Sequence, residues 1–95
     1  MSLEFEWDPH KAAVNRRNHG VTFQEAATVF GDRLGSIFTD EAHSIGEHRE
    51  MIIGHSDRKR LLLVSFTERA GKIRIISARR AMKRERRDYE ENPIR

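Results

Sequence analysis

Leu61-Leu62-Leu63-Val64-Ser65-Phe66-Thr67-Glu68-Arg69-Ala70-Gly71-Lys72-Ile73-Arg74-Ile75-Ile76-Ser77 is the stretch that decides the fold. Two runs rich in Leu, Ile and Val flank Ala70-Gly71, which reads as a hairpin of strands over 61–68 and 72–77. A turn of two or four residues centred on Ala70-Gly71 pairs residues whose numbers sum to 141. Glu68 then faces Ile73, Thr67 faces Arg74, Phe66 faces Ile75 and Ser65 faces Ile76. Because strand side chains alternate, Val64, Phe66, Ile73 and Ile75 share an apolar face that must receive helices. The opposite face carries Ser65, Thr67, Arg69 and Arg74.

Upstream of the hairpin, residues 49–54 form a further strand and 35–40 a weaker one. Residues 41–47 make a polar loop, and 55–60 a charged turn. Residues 4–7 alternate polar and apolar, as a short strand or as a cover for the core. Asp8-Pro9 marks a helix start, with Asp8 as cap and Pro9 at the first helical position. That helix runs to about Asn18 and ends at a left-handed Gly20. Thr22-Phe23-Gln24-Glu25 is a capping box, in which Thr22 caps the Glu25 amide and Glu25 reaches back. Phe23, Ala26, Ala27 and Phe30 then form one apolar stripe of a second helix that stops near Gly31-Asp32. Downstream, a last helix from about Ala78 to Glu91 takes Ser77 as its cap. Ala78, Ala81, Met82, Glu85 and Tyr89 lie along one face of it, and Asn92-Pro93 ends it. The order predicts an α+β fold of one domain over 1–95. Two N-terminal helices and a C-terminal helix accompany a four-stranded, mainly antiparallel sheet.

A chain of 95 residues suits one thin core. Hydrophobic residues make up 37%, in patterned runs, which argues for a folded domain despite 35% charged residues. With no cysteine, disulfides and thiolate metal sites are excluded. The acidic N-terminus lacks the apolar core of a signal peptide, and no apolar run approaches the ~18 residues of a membrane span. The expected location is therefore the cytoplasm, with no membrane partner. The net charge of +3 is divided unevenly. Residues 1–57 hold 5 Lys/Arg and 10 Asp/Glu, a balance of −5; residues 58–95 hold 13 and 5, a balance of +8. Such a half suits a polyanion or an acidic partner.

The basic residues continue from the hairpin into Arg79, Arg80, Lys83, Arg84, Arg86 and Arg87. Arg84 with Asp88, and Arg87 with Glu91, have the spacing of solvated helix pairs. Arg79 and Arg80 lack an acid four residues on. Two arginines where a strand becomes a helix suit phosphate, which their planar forks bind bidentately. His43, His48 and His55 match no metal-ligand spacing, so no metal site is expected. His19, just before Gly20, reads as a helix-end residue that meets free carbonyls. There is no Ser-His-Asp arrangement, Gly-rich phosphate loop or dinucleotide fingerprint, so no cofactor is expected.

The run Phe5-Glu6-Trp7-Asp8-Pro9, then Lys11, Asn15 and His19-Gly20-Val21, resembles the opening of BrnT-type toxins. Phe23, Glu25, Ala26 and Val29-Phe30 resemble the family's second helix. His43-Ser44, Glu47 and Arg49, then Ile53-Gly54, look like its middle motif. Thr67 and Arg69, Ile73-Arg74-Ile75-Ile76-Ser77-Ala78-Arg79, Glu85 and Tyr89 look like its closing motif. Asn18 departs from the pattern, in which a Lys often precedes His-Gly. The resemblance implies a RelE-like fold and a ribonuclease that lowers translation and arrests growth. It also implies a cognate ribbon-helix-helix antitoxin that neutralises the toxin in a hetero-oligomer and carries operator DNA for the pair.

Metal-free RNA cleavage needs a base for the 2′-OH, cations for the phosphorane and an acid for the leaving oxygen. Glu47 is the candidate base, or else a simple ion-pair partner of Arg49. Arg69 and Arg79 are the candidates for phosphorane stabilisation, and Arg49, Arg74, Arg80 and Lys83 for holding the RNA backbone. Tyr89 stacks a base or donates a proton, unless it packs in the core. His43 and Tyr89 are the side chains available as acid. The rival reading is a basic module that binds nucleic acid or a partner and cleaves nothing.

Overall fold

A computed structural model of the chain describes residues 3–44 and 46–91. Its centre is the hairpin: β4 spans Leu61–Arg69 and β5 spans Lys72–Arg80. Ala70 and Gly71 connect them with φ of 53° and 79°, the two left-handed residues of a tight hairpin turn. Arg69 therefore faces Lys72, and the pairs Glu68–Ile73, Thr67–Arg74 and Phe66–Ile75 hold as expected. Past Phe66 the register shifts, and Ser65 faces Ser77 rather than Ile76. Ile76 is the extra residue of a β-bulge, which the sum rule could not anticipate.

The sheet has five strands in the order β1-β5-β4-β3-β2, not four. β1 (Phe5–Glu6) lies parallel to β5, with Phe5 beside Ile73 and Glu6 beside Arg74. β3 (Glu50–His55) and β2 (Ser36–Thr39) continue the antiparallel part. The sheet is mixed because β1 runs parallel to β5; at two residues, β1 is too short for alternation to distinguish a strand from a core-covering segment.

α1 (Pro9–His19) starts where expected: the Asp8 carboxylate accepts the His10 amide at 2.9 Å, and Gly20 closes it at φ 69°. α2 (Phe23–Thr28) is only six residues, followed by a 3₁₀ turn over Val29–Gly31. Thr22 caps the Glu25 amide at 3.1 Å, but Glu25 does not reach back. Its carboxylate turns inward, accepts the Arg60 Nε–H at 2.9 Å and the Ser56 hydroxyl at 2.7 Å, and holds a second contact with the same guanidinium. A buried carboxylate binds a guanidinium more strongly than an exposed amide. The tightened turn also puts Val29 fully in the core, while Ala27 and Phe30 of the expected stripe stay half-buried.

α3 (Lys83–Glu91) begins five residues later than expected, because β5 continues through Arg80. Ala78 is a strand residue buried against α1 and α2, and Ser77 caps nothing. The helix instead begins with Glu85 bonding back to the Met82 amide at 2.8 Å, half of a capping box. The expected stop at Asn92-Pro93 lies outside the described residues.

The apolar face forms as read. Leu62, Val64, Phe66, Ile73, Ile75 and Ala78 pack against Val21, Phe23, Ala26 and Val29. The other face carries a smaller cluster of Ile53, Leu61 and Leu63 under Tyr89 of α3. Among the described residues, no helix is long and apolar enough to cross a membrane.

Asn15 ties α1 to the sheet. It is buried, accepts the Ala78 amide at 3.0 Å, and donates to the carbonyls of Ala78 and Val21 at 2.9 and 3.0 Å. It thus stands in for a strand neighbour where β1 has already left β5. Asn15→Ala strands three buried backbone groups and is expected to cost about 3 kcal/mol. Thr22→Ala removes one partly exposed cap and should cost about 1 kcal/mol. Urea titration of both variants measures the difference.

Candidate active site

The loop that carries Glu47 is fastened at its base. The Asp40 amide donates to the Arg49 carbonyl at 2.9 Å. The Ser44 hydroxyl donates to the Asp40 carbonyl at 2.6 Å and accepts the Arg49 amide at 3.1 Å. The buried Thr67 hydroxyl then donates to the His48 carbonyl at 2.6 Å, which holds the loop against β4. Ser44 and Thr67 are thus structural side chains, although the sequence marks Thr67 only as part of a polar face and both as part of the family's motifs.

This loop brings Glu47 to the hairpin end of the sheet. Arg69 Nη2 donates to Glu47 Oε2 at 2.6 Å, and Arg49 Nε lies 4.0 Å from Oε1. The principal partner is Arg69 rather than Arg49. Arg74, across from Thr67, pairs with Glu6 at 3.4 Å. The Arg69 hydrogen bond holds the Glu47 carboxyl below its ordinary 4.5; slight desolvation opposes it, and the charges of Arg69, Arg49 and Arg74 add to it. Glu47, Arg49, Arg69 and Arg74 therefore form one cluster, a carboxylate among three guanidiniums.

Arg79 belongs elsewhere. It sits on β5 opposite Leu63, not at a helix start. Its Nη1 and Nη2 donate to the two Glu85 oxygens at 2.9 and 2.8 Å. The missing acid at i+4 therefore did not leave it unpaired: the late start of α3 places Glu85 beneath it. The bidentate bond raises the Arg79 pKa and lowers that of Glu85. Arg80, opposite Leu62, falls on the other side of β5 and is exposed, as is Lys83 at the start of α3. Among the described residues the expected surface pairs of α3, Arg84 with Asp88 and Arg87 with Glu91, do not form; the same spacing joins Arg86 to Glu90 instead, at 3.7 Å.

Tyr89 is in the core. It is 8% exposed and packs on Ile53, Leu61 and Leu63. Its hydroxyl donates to Asp32 Oδ2 at 2.6 Å and lies 3.2 Å from His55 Nδ1. Desolvation works against the ionised Asp32, but the Tyr89 hydroxyl and the His55 and Leu34 amides outweigh it, so the pKa falls below 3.8. From Leu63 to Arg69 the strand rises roughly 20 Å, so the structure does not bring Tyr89 to the Glu47 cluster. His43, the other side chain available as acid, faces the Asp40 carboxylate at 3.0 Å.

Three groups were not singled out from sequence: Glu6, Asp32 and the Arg60 that neutralises Glu25. Their sequence signals were of other kinds: Glu6 in the alternation of residues 4–7 and the family's opening run, Asp32 as a helix stop, and Arg60 as part of a charged turn. Among the described residues, no group of three or more His, Asp or Glu side chains is gathered where a metal ion would sit.

The family described as "Ribonuclease toxin, BrnT, of type II toxin-antitoxin system" matches residues 7–85. Among solved structures, the crystal structure of the Brucella abortus ribonuclease toxin BrnT aligns with a TM-score of 0.67 at 22% identity. The alignment covers 86% of this chain and 100% of that one, a likeness of fold. No curated protein matches the chain.

Glu25, Asp32 and Glu85 all have lowered pKa values in the fold. A carboxyl of this kind stabilises the folded state above its unfolded pKa, and the contribution is lost as pH falls through the folded value. The urea midpoint should therefore hold from pH 7 to about pH 5 and decline at lower pH. Glu25→Gln should be less stable than the parent at pH 7 and show a shallower acid decline. Urea titrations of both proteins between pH 3 and 7 test this.

Proposed function

We propose, since this chain belongs to the BrnT family of ribonuclease toxins of type II toxin–antitoxin systems, that it is a metal-independent endoribonuclease acting at the Glu47 cluster. The observation that carries the reading is the Glu47 carboxylate, hydrogen-bonded to Arg69 with Arg49 and Arg74 alongside, at an open end of the sheet. Glu47 takes the proton of a ribose 2′-OH, and O2′ attacks the adjacent phosphorus. Arg69, with Arg49, carries the negative charge that develops on the equatorial oxygens. The P–O5′ bond breaks, a proton goes to the leaving O5′, and a 2′,3′-cyclic phosphate remains. His43, on the same loop as Glu47, is the donor we favour for that proton.

The other basic residues hold substrate. Arg74 grips the backbone beside the scissile phosphate. Arg79 lies two rows further along the same face and meets a more distant phosphate, with Arg80 and Lys83 extending the field. Tyr89 serves catalysis only by holding α3, and with it Glu85 and Arg79. The protein lowers translation and arrests growth until a cognate antitoxin of the ribbon-helix-helix type binds it in a hetero-oligomer. That antitoxin, not this chain, contacts operator DNA.

Purified protein incubated with RNA and EDTA tests the enzyme: loss of full-length RNA supports it, and intact but retarded RNA supports a binding module. Arg69→Ala is expected to lower the cleavage rate ~10²–10³-fold while RNA affinity falls modestly. Equal, small losses in both would demote Arg69 to backbone positioning. Because Arg69 depresses the Glu47 pKa, the acid limb of the parent's pH–rate profile should lie below pH 4.5. In the residual activity of Arg69→Ala that limb should move upward.

A further inference from the structure

The arginines on the open face of the sheet are each held by an acid: Arg69 by Glu47, Arg74 by Glu6 and Arg79 by Glu85. α1 is different. The side chains of His10, Lys11, Asn18 and His19 make no hydrogen bond or ion pair with the described chain. His19 in particular does not bond the helix-end carbonyls, which leaves its ring available. With Val14 and Asn15 between them, spacings of three, four and seven residues put these groups on one side of the helix. Together with Ile76 and Ser77 of β5, they line an open groove of about 360 Å³.

The groove has a structural cause. β1 accompanies β5 only as far as Arg74, and Asn15 rejoins it only at Ala78. Between them, among the described residues, no strand pairs with the bulged edge of β5 at Ile76 and Ser77. Ser77 faces Ser65, in the row next to the Thr67–Arg74 pair. It thus belongs both to the groove and to the face that carries the arginines. Along the strand, Ser77 lies ~10 Å from Arg74 and ~7 Å from Arg79.

We propose that this groove is a second RNA subsite, which receives one unstacked nucleotide of a single strand next to the Glu47 cluster. The proposal rests on the ribonuclease reading for its substrate, and its own support is the set of uncommitted donors around a concavity. Lys11 and the imidazoles of His10 and His19 take the phosphate. The Asn18 carboxamide, donor and acceptor at once, meets the edge of the base, as proteins read splayed-out RNA bases. Ser77 and the open backbone of β5 take the ribose. An acidic protein segment would satisfy Lys11 but leaves the apolar side chains of Val14 and Ile76 in the groove unused.

The probe is a fluorescein-labelled, fully 2′-O-methylated RNA of twelve nucleotides, which lacks the nucleophile and stays intact. Anisotropy titrations at several salt concentrations compare the parent, Lys11→Gln, Lys11→Arg and the triple variant Lys11→Gln/Asn18→Ala/His19→Ala. Lys11→Gln should weaken binding several-fold and flatten the salt slope by ~0.7, the value for one single-strand phosphate contact. Lys11→Arg should keep the parent slope, and the triple variant should weaken binding at least ~10-fold, the combined loss of a phosphate and a base contact. All should melt with the parent, since these side chains make no hydrogen bond or ion pair among the described residues. Unchanged affinity and slope, a parent that does not bind the probe, or variants that lose an antitoxin rather than RNA would each overturn the subsite. Cleavage of unmodified RNA by the parent is read separately and decides the ribonuclease reading alone.

Discussion

Residues Leu61–Thr67 of β4 are buried without a break, so this strand has to be covered on both faces. A half-buried strand alternates; a run such as Leu-Leu-Leu-Val does not, and it demands two layers of cover. α1 and α2 supply one layer with a continuous apolar cluster. The second layer is thin. α3 contributes one buried residue, Tyr89, and is otherwise highly charged. The nine described residues of this helix measure about 13 Å, against roughly 30 Å for a nine-residue strand. α3 therefore covers only the Leu61–Leu63 end. Toward the hairpin the same face turns to Ser65, Thr67 and Arg69, and a loop closes over its edge. The open polar end is a consequence of how little the last helix can cover.

Burial separates the ion pairs into two kinds. Glu25 is 5% exposed and is met by Arg60, Ser56 and a second, more distant guanidinium, that of Arg58. Breaking such a pair strands a buried charge, so it fixes structure. Glu47 and Arg69 are in contact with solvent, where an ion pair is worth little and exchanges readily. A phosphate can therefore compete with Glu47 for Arg69 and leave the carboxylate free to take a proton. Arg79 with Glu85 is intermediate: its bidentate bond orders the start of α3 as much as it holds a cation on the face.

The elements that local chemistry specifies were legible. Asp8-Pro9, Gly20, Thr22 and the Ala70-Gly71 turn each act within a few residues; all but Ala70, which takes a left-handed φ that its Cβ disfavours, do what their residue type requires. The apolar face of the hairpin followed from alternation alone. Glu47 with Arg69 was half legible: both residues could be named, but not that they touch. The pairing depends on Thr67 and Ser44 fastening a loop across twenty residues of chain, and no periodicity reports that. Tyr89 could be read as core or as chemistry, because an aromatic with a polar tip serves either until its hydroxyl has a partner.

By itself the sequence determined the α+β class, the hairpin with its helix-facing side, the helix starts at Asp8 and Thr22, and a basic second half. These follow from residue type and short-range spacing. Tertiary structure alone decided that residues 5–6 become a fifth strand, that Ile76 bulges, and that β5 runs on through Arg80. It also decided which acid meets which arginine. Those outcomes rest on backbone and side-chain partners distant in the chain, such as Asn15 with Ala78 and Tyr89 with Asp32. A hydrogen bond between such groups is fixed by packing in three dimensions, and a linear spacing holds no record of it.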